Sequence, residues 1–125
     1  MRKVFVIGLR HQPGELGKVA TVLAERGLNI ESIGGIVHGD HAIVSFIPDD
    51  AEATRQLLDE LDAPYEEWEA LTVEAPNRPG ELAKVADRLG QAGANITSIL
   101  PLPVEDGVHL ALTFEDVDRA REALE

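Results

Sequence analysis

Two segments of the sequence carry backbone groups that could bind a small charged molecule. Each contains Pro-Gly-Glu-Leu where a helix is expected to begin, first at Pro13 and again at Pro79. The N–H groups of a first helical turn have no acceptor inside the helix, and the helix dipole favours an anion there. The residues that present these groups are Gly14, Glu15 and Leu16 in the first segment, and Gly80, Glu81 and Leu82 in the second. They predict binding of a carboxylate, and the glycines allow close approach of a ligand.

The two segments belong to an internal repeat with an offset of 66 residues. Thirteen of the 21 positions from residue 13 to residue 33 are identical in the two copies. Counted from a first strand that begins near Lys3, the offset places the start of the second copy near Glu69, which leaves it nine residues short of the 66-residue repeat. We therefore expect two modules, residues 1–68 (the first copy) and 69–125 (the second copy).

Local signals within each copy predict the order β-α-β-β-α-β. A β-rich run (residues 4–9; 70–75) precedes the Pro-Gly turn, apolar residues then recur at helical spacing, and Gly27 or Gly93 ends the helix. Two strands with a tight turn, a helix capped by Asp49 or Asp50, and a short fourth strand at 65–68 complete the first copy. The fold class is α+β: two tandem ferredoxin-like modules, the second lacking its last strand.

The paired motifs resemble the ACT domain family, whose members are small-molecule sensing modules often attached to enzymes of amino-acid metabolism. The resemblance rests on the Pro-Gly turn, the amphipathic helix and the Gly-x-Asn-Ile that follows it in both copies. In the regulatory domain of phosphoglycerate dehydrogenase, a polar residue before the proline and the asparagine of the second strand hold an amino-acid effector. The resemblance therefore implies effector contacts at Asn77, Asn95 and Ile96, and at His11, Asn29 and Ile30 in the first copy. His11 departs from the acidic or amide residue usual in the family.

The expected function is that of a sensor that binds an amino acid or a similar small zwitterion and thereby alters module or subunit packing. Two or three charge-assisted contacts of about 1.5–3 kcal/mol each predict roughly micromolar to millimolar affinity. Two alternatives remain open: a ligand-independent regulatory or assembly subunit of a metabolic enzyme, and a metal-responsive module built from the four histidines. Pro-Gly could also serve only to start a helix, and each asparagine only to satisfy turn backbone.

Composition argues against several other classes of protein. The net charge of −12 would repel nucleic acid, and the five aromatic residues form no stacking platform. Cysteine is absent, which excludes a thiolate zinc site, and none of the three serines lies in a Gly-x-Ser-x-Gly elbow. We therefore expect no enzyme and no cofactor, and no metal site unless the histidine alternative holds. The apolar run after Met1 is too short for a signal peptide or a membrane span, which predicts a cytoplasmic protein.

Strand alternation predicts that the first copy needs a partner on its helix-free face. If Phe5 and Phe46 face the helices, the helix-free face of the first copy carries Val4, Val6, Ile43 and Ile47. The equivalent positions of the second copy are Ala70, Thr72, His109 and Thr113. A homo-oligomer, most simply a dimer, would cover the aliphatic face; the alternative is that the second module folds over it. Pro101 and Pro103 predict an unpaired sheet edge in the second copy, whereas residues 31–37 leave an edge open to pairing in the first.

Overall fold

The computed structural model describes residues 2–125 and contains six strands and four helices among them. The elements follow one another in the predicted order: β1 (Arg2–Arg10), α1 (Glu15–Glu25), β2 (Ile30–His38), β3 (His41–Pro48), α2 (Ala51–Glu60), β4 (Tyr65–Glu74), α3 (Glu81–Gln91), β5 (Ile96–Val104), β6 (Gly107–Phe114) and α4 (Val117–Leu124). The prediction of tandem ferredoxin-like modules, with no strand after α4, is thereby confirmed.

The chain divides into two compact units, Lys3–Glu67 and Trp68–Glu125 together with Arg2. In the first, antiparallel strands lie in the order β2-β3-β1; in the second, the order is β5-β6-β4. One detail of the prediction is wrong: residues 65–68 and 70–75 are not two strands but parts of the single strand β4. The extended conformation continues through Trp68 and Glu69 because no glycine or proline interrupts the sequence between Tyr65 and Glu74.

The helix boundaries follow from their capping residues. The Asp50 side chain accepts the N–H of Ala53 at 3.0 Å, which caps α2 and selects Asp50 over Asp49. Gly27 and Gly93 follow α1 and α3 with φ of 70° and 73°, as expected of left-handed caps. The capping residues predicted from the sequence therefore mark the start of α2 and the ends of α1 and α3.

Each unit has its own apolar core between its sheet and its helices. The first is built on Phe5, Ile7, Val44 and Phe46 of the sheet, with Leu23, Leu57 and Leu58 of the helices; the second on Leu112, Phe114, Leu89 and Ala120. Phe5 stacks on Phe46 with ring centroids 5.8 Å apart. The predicted assignment of these sheet residues to the helix-covered face of the first copy is confirmed.

The helix-free face of the first copy is less exposed than the sequence suggested. Val4 and Ile47 are fully buried within the single chain, Val6 is half-buried, and Ile43 is exposed. Two of the four side chains for which a partner subunit was expected are therefore already buried in the single chain.

The smaller and more polar residues of the second copy predict that the same face tolerates water, and this prediction is wrong at two positions. Ala70 and Thr113 are buried, whereas Thr72 is exposed and His109 half-buried. The Thr113 hydroxyl is hydrogen-bonded to Thr97 and Ser98 at 2.7 and 2.5 Å, which satisfies the polar group in a buried position.

Candidate functional site

The candidate site of the first copy is the turn between β1 and α1, which we call the first corner (residues 10–17). The His11 N–H donates to the Asp40 carbonyl at 3.2 Å, and this bond ties the turn to the β2–β3 hairpin. Gly14 has a left-handed φ of 88°, and no side chain caps the helix. The first intrahelical bond runs from the Lys18 N–H to the Gly14 carbonyl at 3.1 Å. The preceding amides of the turn therefore have no acceptor within the helix.

The carboxylate of Glu15 is fixed beside these amides. Gln12 Nε2 donates to Glu15 Oε1 at 3.1 Å, and Lys18 Nζ lies 3.7 Å from Glu15 Oε2. The adjacent Arg10 and His11 are exposed. The first corner thus presents cationic side chains, amide donors and one oriented carboxylate within a few residues.

A cavity of about 230 Å³ opens at the first corner, between α1 and β2. We call it the corner cavity. Its lining combines polar residues of the turn with apolar residues of the sheet and helix: Arg10, His11, Gln12 and Glu15, and Leu9, Leu16, Gly35, Ile36, Val37, Ala42 and Val44. Three predicted site residues, His11, Glu15 and Leu16, therefore share one concave surface, as expected of a small-molecule site.

Asn29 and Ile30 lie at the opposite end of the same sheet. Arg10 pairs with His41 at one end of β3, whereas Ile30 pairs with Pro48 at the other. At roughly 3.4 Å per residue, the seven steps from His41 to Pro48 separate the two ends by about 24 Å. The backbone of Asn29 is held there by Asp49, which accepts its N–H at 3.0 Å through Oδ1, and the Asn29 side chain is exposed. A single module therefore does not bring its own asparagine to its own corner.

The second corner (residues 76–83) has the same backbone but different partners. Gly80 has φ of 91°, and the Glu81 N–H donates to the Arg78 carbonyl at 3.3 Å. Lys84 and Arg78 both donate to the Glu81 carboxylate, at 3.2 and 3.1 Å. These contacts, the Lys84 hydrogen bond foremost, hold the pKa of Glu81 below its ordinary value. Two cations thus donate to the carboxylate of the second corner, whereas the carboxylate of the first corner accepts from the neutral Gln12 and has one cation, Lys18, at 3.7 Å.

The remaining candidates of the second copy are separated in the same way as those of the first. Asn77 is exposed beside the second corner, whereas Asn95 and Ile96 lie at the start of β5. Asn95 Nδ2 donates to Glu115 Oε2 at 3.2 Å, so this carboxamide already has a partner. Leu82, on the exposed side of α3, is half exposed.

The strand residues that line the corner cavity are not among the predicted site residues. Gly35, Val37 and Ala42 lie far from the Pro-Gly motif in sequence, and only the β2–β3 pairing brings them under the first corner. Strand alternation could have placed Val37 and Ala42 on the helix-covered face with Leu9, because these positions share one register row.

The histidines do not assemble a metal site. His38 pairs with His41 across the hairpin, and His41 Nδ1 lies 2.7 Å from Asp40 Oδ1. Within residues 2–125, no cluster of three or more potential ligand side chains has metal-binding geometry. Nor does this part of the chain contain a helix with the length and apolar character needed to cross a membrane.

Gly14 offers a test of the corner's backbone. Gly14→Ala forces a Cβ into the left-handed region and should lower the free energy of unfolding by about 1 kcal/mol. Gly17→Ala, three residues on in α1 with nothing within 4 Å of the added Cβ, should instead raise it by roughly 0.5–1 kcal/mol. Urea unfolding followed by circular dichroism measures both; equal effects in the two variants would contradict the left-handed turn.

Solved structures with the same fold are similar to this chain over nearly its whole length. Protein BT0572 from Bacteroides thetaiotaomicron is 24% identical with a TM-score of 0.84, over 98% of this chain and 85% of that one. The regulatory subunits of aspartate kinase from Thermus thermophilus and Thermus flavus are 22% and 21% identical, with TM-scores of 0.71 and 0.66. The matches cover 98% and 99% of this chain, and 87% and 92% of those chains.

Sequence comparison agrees with the fold. No curated protein sequence is significantly similar to the chain. The ACT domain profile, however, matches residues 3–63 and again 70–124, which together make up most of the chain. Both segments contain the Pro-Gly turn and the Asn-Ile strand start on which the resemblance rested. The chain therefore belongs to the ACT domain family and carries two ACT domains in tandem.

Proposed function

We propose that this chain is a regulatory protein that binds an amino acid at the first corner and responds through a change in subunit packing. Membership of the ACT family supports a sensing role, as does the shared fold with regulatory subunits of aspartate kinase. The observation that carries the proposal is the corner cavity, where unpaired helix amides, cationic side chains and a fixed carboxylate surround an apolar floor.

The two ends of a zwitterion match the two kinds of polar group at the first corner. The amides that precede Lys18, with Arg10 and His11 beside them, suit an α-carboxylate. The Glu15 carboxylate, held by Gln12, suits an α-ammonium group. We place the site in the first copy because the corner cavity opens there, and because two cations, Arg78 and Lys84, pair with Glu81, the corresponding carboxylate of the second copy. Glu15 has one cation, Lys18, at 3.7 Å.

We further propose that the chain forms a homodimer through β2. This strand is the outer strand of its sheet, with β3 as its neighbour, and no proline blocks it. Its sequence is compatible with antiparallel pairing of two chains centred on Gly35. In that register Ile33 lies opposite the partner's Val37, on the same face of the sheet, and Gly34 lies opposite the partner's Ile36. Ile33 and Val37 are both exposed in the single chain, so pairing would bury apolar surface.

Such a dimer would bring Asn29 to the first corner of the other chain. Continuing this register to Asn29 places it opposite the partner's His41. Within each chain, His41 pairs with Arg10 of the first corner. The carboxamide that lies about 24 Å from its own corner would thus approach the first corner of the partner chain. Ligand binding and subunit packing would then be coupled through shared contacts.

Calorimetric titration with the twenty common amino acids tests the proposed function. We expect at least one to bind with micromolar to millimolar affinity, and Asn29→Ala to weaken it about tenfold, since a charge-assisted hydrogen bond is lost. Asn95→Ala is the matched control in the second copy and should leave the affinity unchanged. A dimer that binds none of the twenty would refute the proposal and favour a ligand-independent regulatory subunit.

A mixing experiment tests whether the site is shared between two chains. His11→Ala and Asn29→Ala should each weaken binding when present in both subunits. In a mixed dimer of the two variants, one site carries both substitutions and the other carries neither. After subunit exchange, a fraction of sites should therefore regain the original affinity; failure to regain it would contradict a shared site.

A further inference from the structure

We propose that the corner cavity selects amino acids with an aliphatic side chain of three or four carbons, and that Gly35 is the residue that sets this preference. The inference rests on the proposed function, because it concerns the side chain of the same ligand. It is drawn from the walls of the cavity, from the space above Gly35 and from the difference between the two copies.

The walls that face away from the polar turn are apolar. Val37, Ala42 and Leu9 form one row across β2, β3 and β1, and Gly35 and Val44 form the next. These rows lie on the helix-covered face, where Val44 belongs to the first core and Leu9 packs against it. Leu16 and Val37, on opposite sides of the cavity, are each 48% exposed. An aliphatic side chain bound between them would remove this apolar surface from water.

Gly35 keeps the floor of the cavity open. A Cβ at this position would lie 3.6 Å from Val44 Cγ2 and 3.5 Å from the Ile43 carbonyl oxygen, which are ordinary contacts. Its φ lies outside the left-handed region, so the backbone does not require glycine there. A larger side chain could therefore be accommodated without backbone strain, and it would project beside Val44 into the cavity. What glycine contributes at this position is space.

The second copy lacks this space. At the repeat offset, Gly35 corresponds to Pro101 and Val37 to Pro103. Pro101 pairs with Leu110 just as Gly35 pairs with Val44, so the proline ring stands where the first copy has no side chain. The aliphatic pocket is consequently a feature of the first copy, and we expect one such site per chain.

The size of the cavity fits a ligand as large as leucine. A dry cavity of about 150 Å³ holds benzene, or roughly 25 Å³ per non-hydrogen atom. The 230 Å³ of the corner cavity then accommodates about nine such atoms, the number in leucine or isoleucine. Its charged lining residues, Arg10 and Glu15, both belong to the first corner. A charged ligand side chain on the floor would therefore be buried without a partner.

Calorimetry with leucine, isoleucine, valine, alanine, aspartate and lysine tests the inference. Each buried carbon contributes about fourfold in affinity, so leucine, with three more carbons, should bind about 60-fold more tightly than alanine. Aspartate and lysine should bind at least as weakly as alanine. In Gly35→Val, the affinity for leucine should fall close to that for alanine, while the affinity for alanine is retained. A misfolded variant would instead lose affinity for both ligands. Gly35→Ala should lie between the two.

The outcomes separate the two proposals. Tighter binding of leucine or isoleucine, reduced selectively by Gly35→Val, supports the aliphatic pocket. Tight binding of aspartate or lysine, or an unchanged leucine preference in Gly35→Val, would overturn the aliphatic pocket and leave the proposed amino-acid sensor intact. Absence of binding by any of the twenty common amino acids would overturn both.

Discussion

Phe5→Ala should lower the free energy of unfolding by about 4 kcal/mol, a large fraction of the stability of a domain of this size. Phe5 is fully buried in the first core, and its ring lies 5.8 Å from that of Phe46 and 5.7 Å from that of Tyr65. Alanine would leave a cavity that strands β1, β3 and β4 could fill only by shifting toward one another. The lost burial and the lost ring contacts therefore act in the same direction.

Urea unfolding followed by circular dichroism measures this effect. Leu61→Ala is the matched control, since Leu61 at the end of α2 is also apolar but is more than half exposed. We expect the control to lose less than about 1 kcal/mol. Similar losses in the two variants would mean that Phe5 is not the centre of the first core.

Ile33→Lys should raise the dissociation constant of the proposed dimer by about three orders of magnitude. The substitution acts twice in a symmetric interface, and each chain forfeits roughly 2 kcal/mol of aliphatic burial opposite the partner's Val37. Sedimentation velocity over a range of chain concentrations measures the change directly.

Ile99→Lys provides an internal control for this prediction. Ile99 is the repeat equivalent of Ile33, and both side chains are 44% exposed on an outer strand. Ile99, however, lies on β5, where Pro101 and Pro103 remove donors from the edge. We therefore expect Ile99→Lys to leave the dimer intact. Dissociation by both variants, or by Ile99→Lys alone, would argue against pairing through β2.

The local features of the fold could be predicted from the sequence because they depend on neighbouring residues. Asp50 caps α2, Gly27 ends α1, and the turn at Gly39 joins β2 to β3, each within a few positions of the signal that predicts it. The repeat offset then transferred each assignment to the second copy. These interactions join residues that are close together in the sequence, so they can be recognised from a single sequence.

The arrangement of the candidate site depends on contacts that are distant in sequence. Asn29 and the first corner share a motif, yet helix α1 returns the chain to the opposite end of the sheet before Asn29 is reached. The contribution of Gly35 to the cavity depends on the β2–β3 register and on the absence of a side chain above Val44. The burial of Val4 and Ile47 likewise has no local signal, because strand alternation assigns a face but not what covers it.

The most direct test of the amino-acid site is the shift of backbone amide resonances in the ¹⁵N-labelled chain when leucine, and then each other common amino acid, is added. For at least one of them, the resonances of residues 14–17 should move with saturable concentration dependence, while those of residues 80–83 remain in place. If no amino acid moves the resonances of residues 14–17, or if the shifts lie only elsewhere in the chain, the first corner is not an amino-acid site.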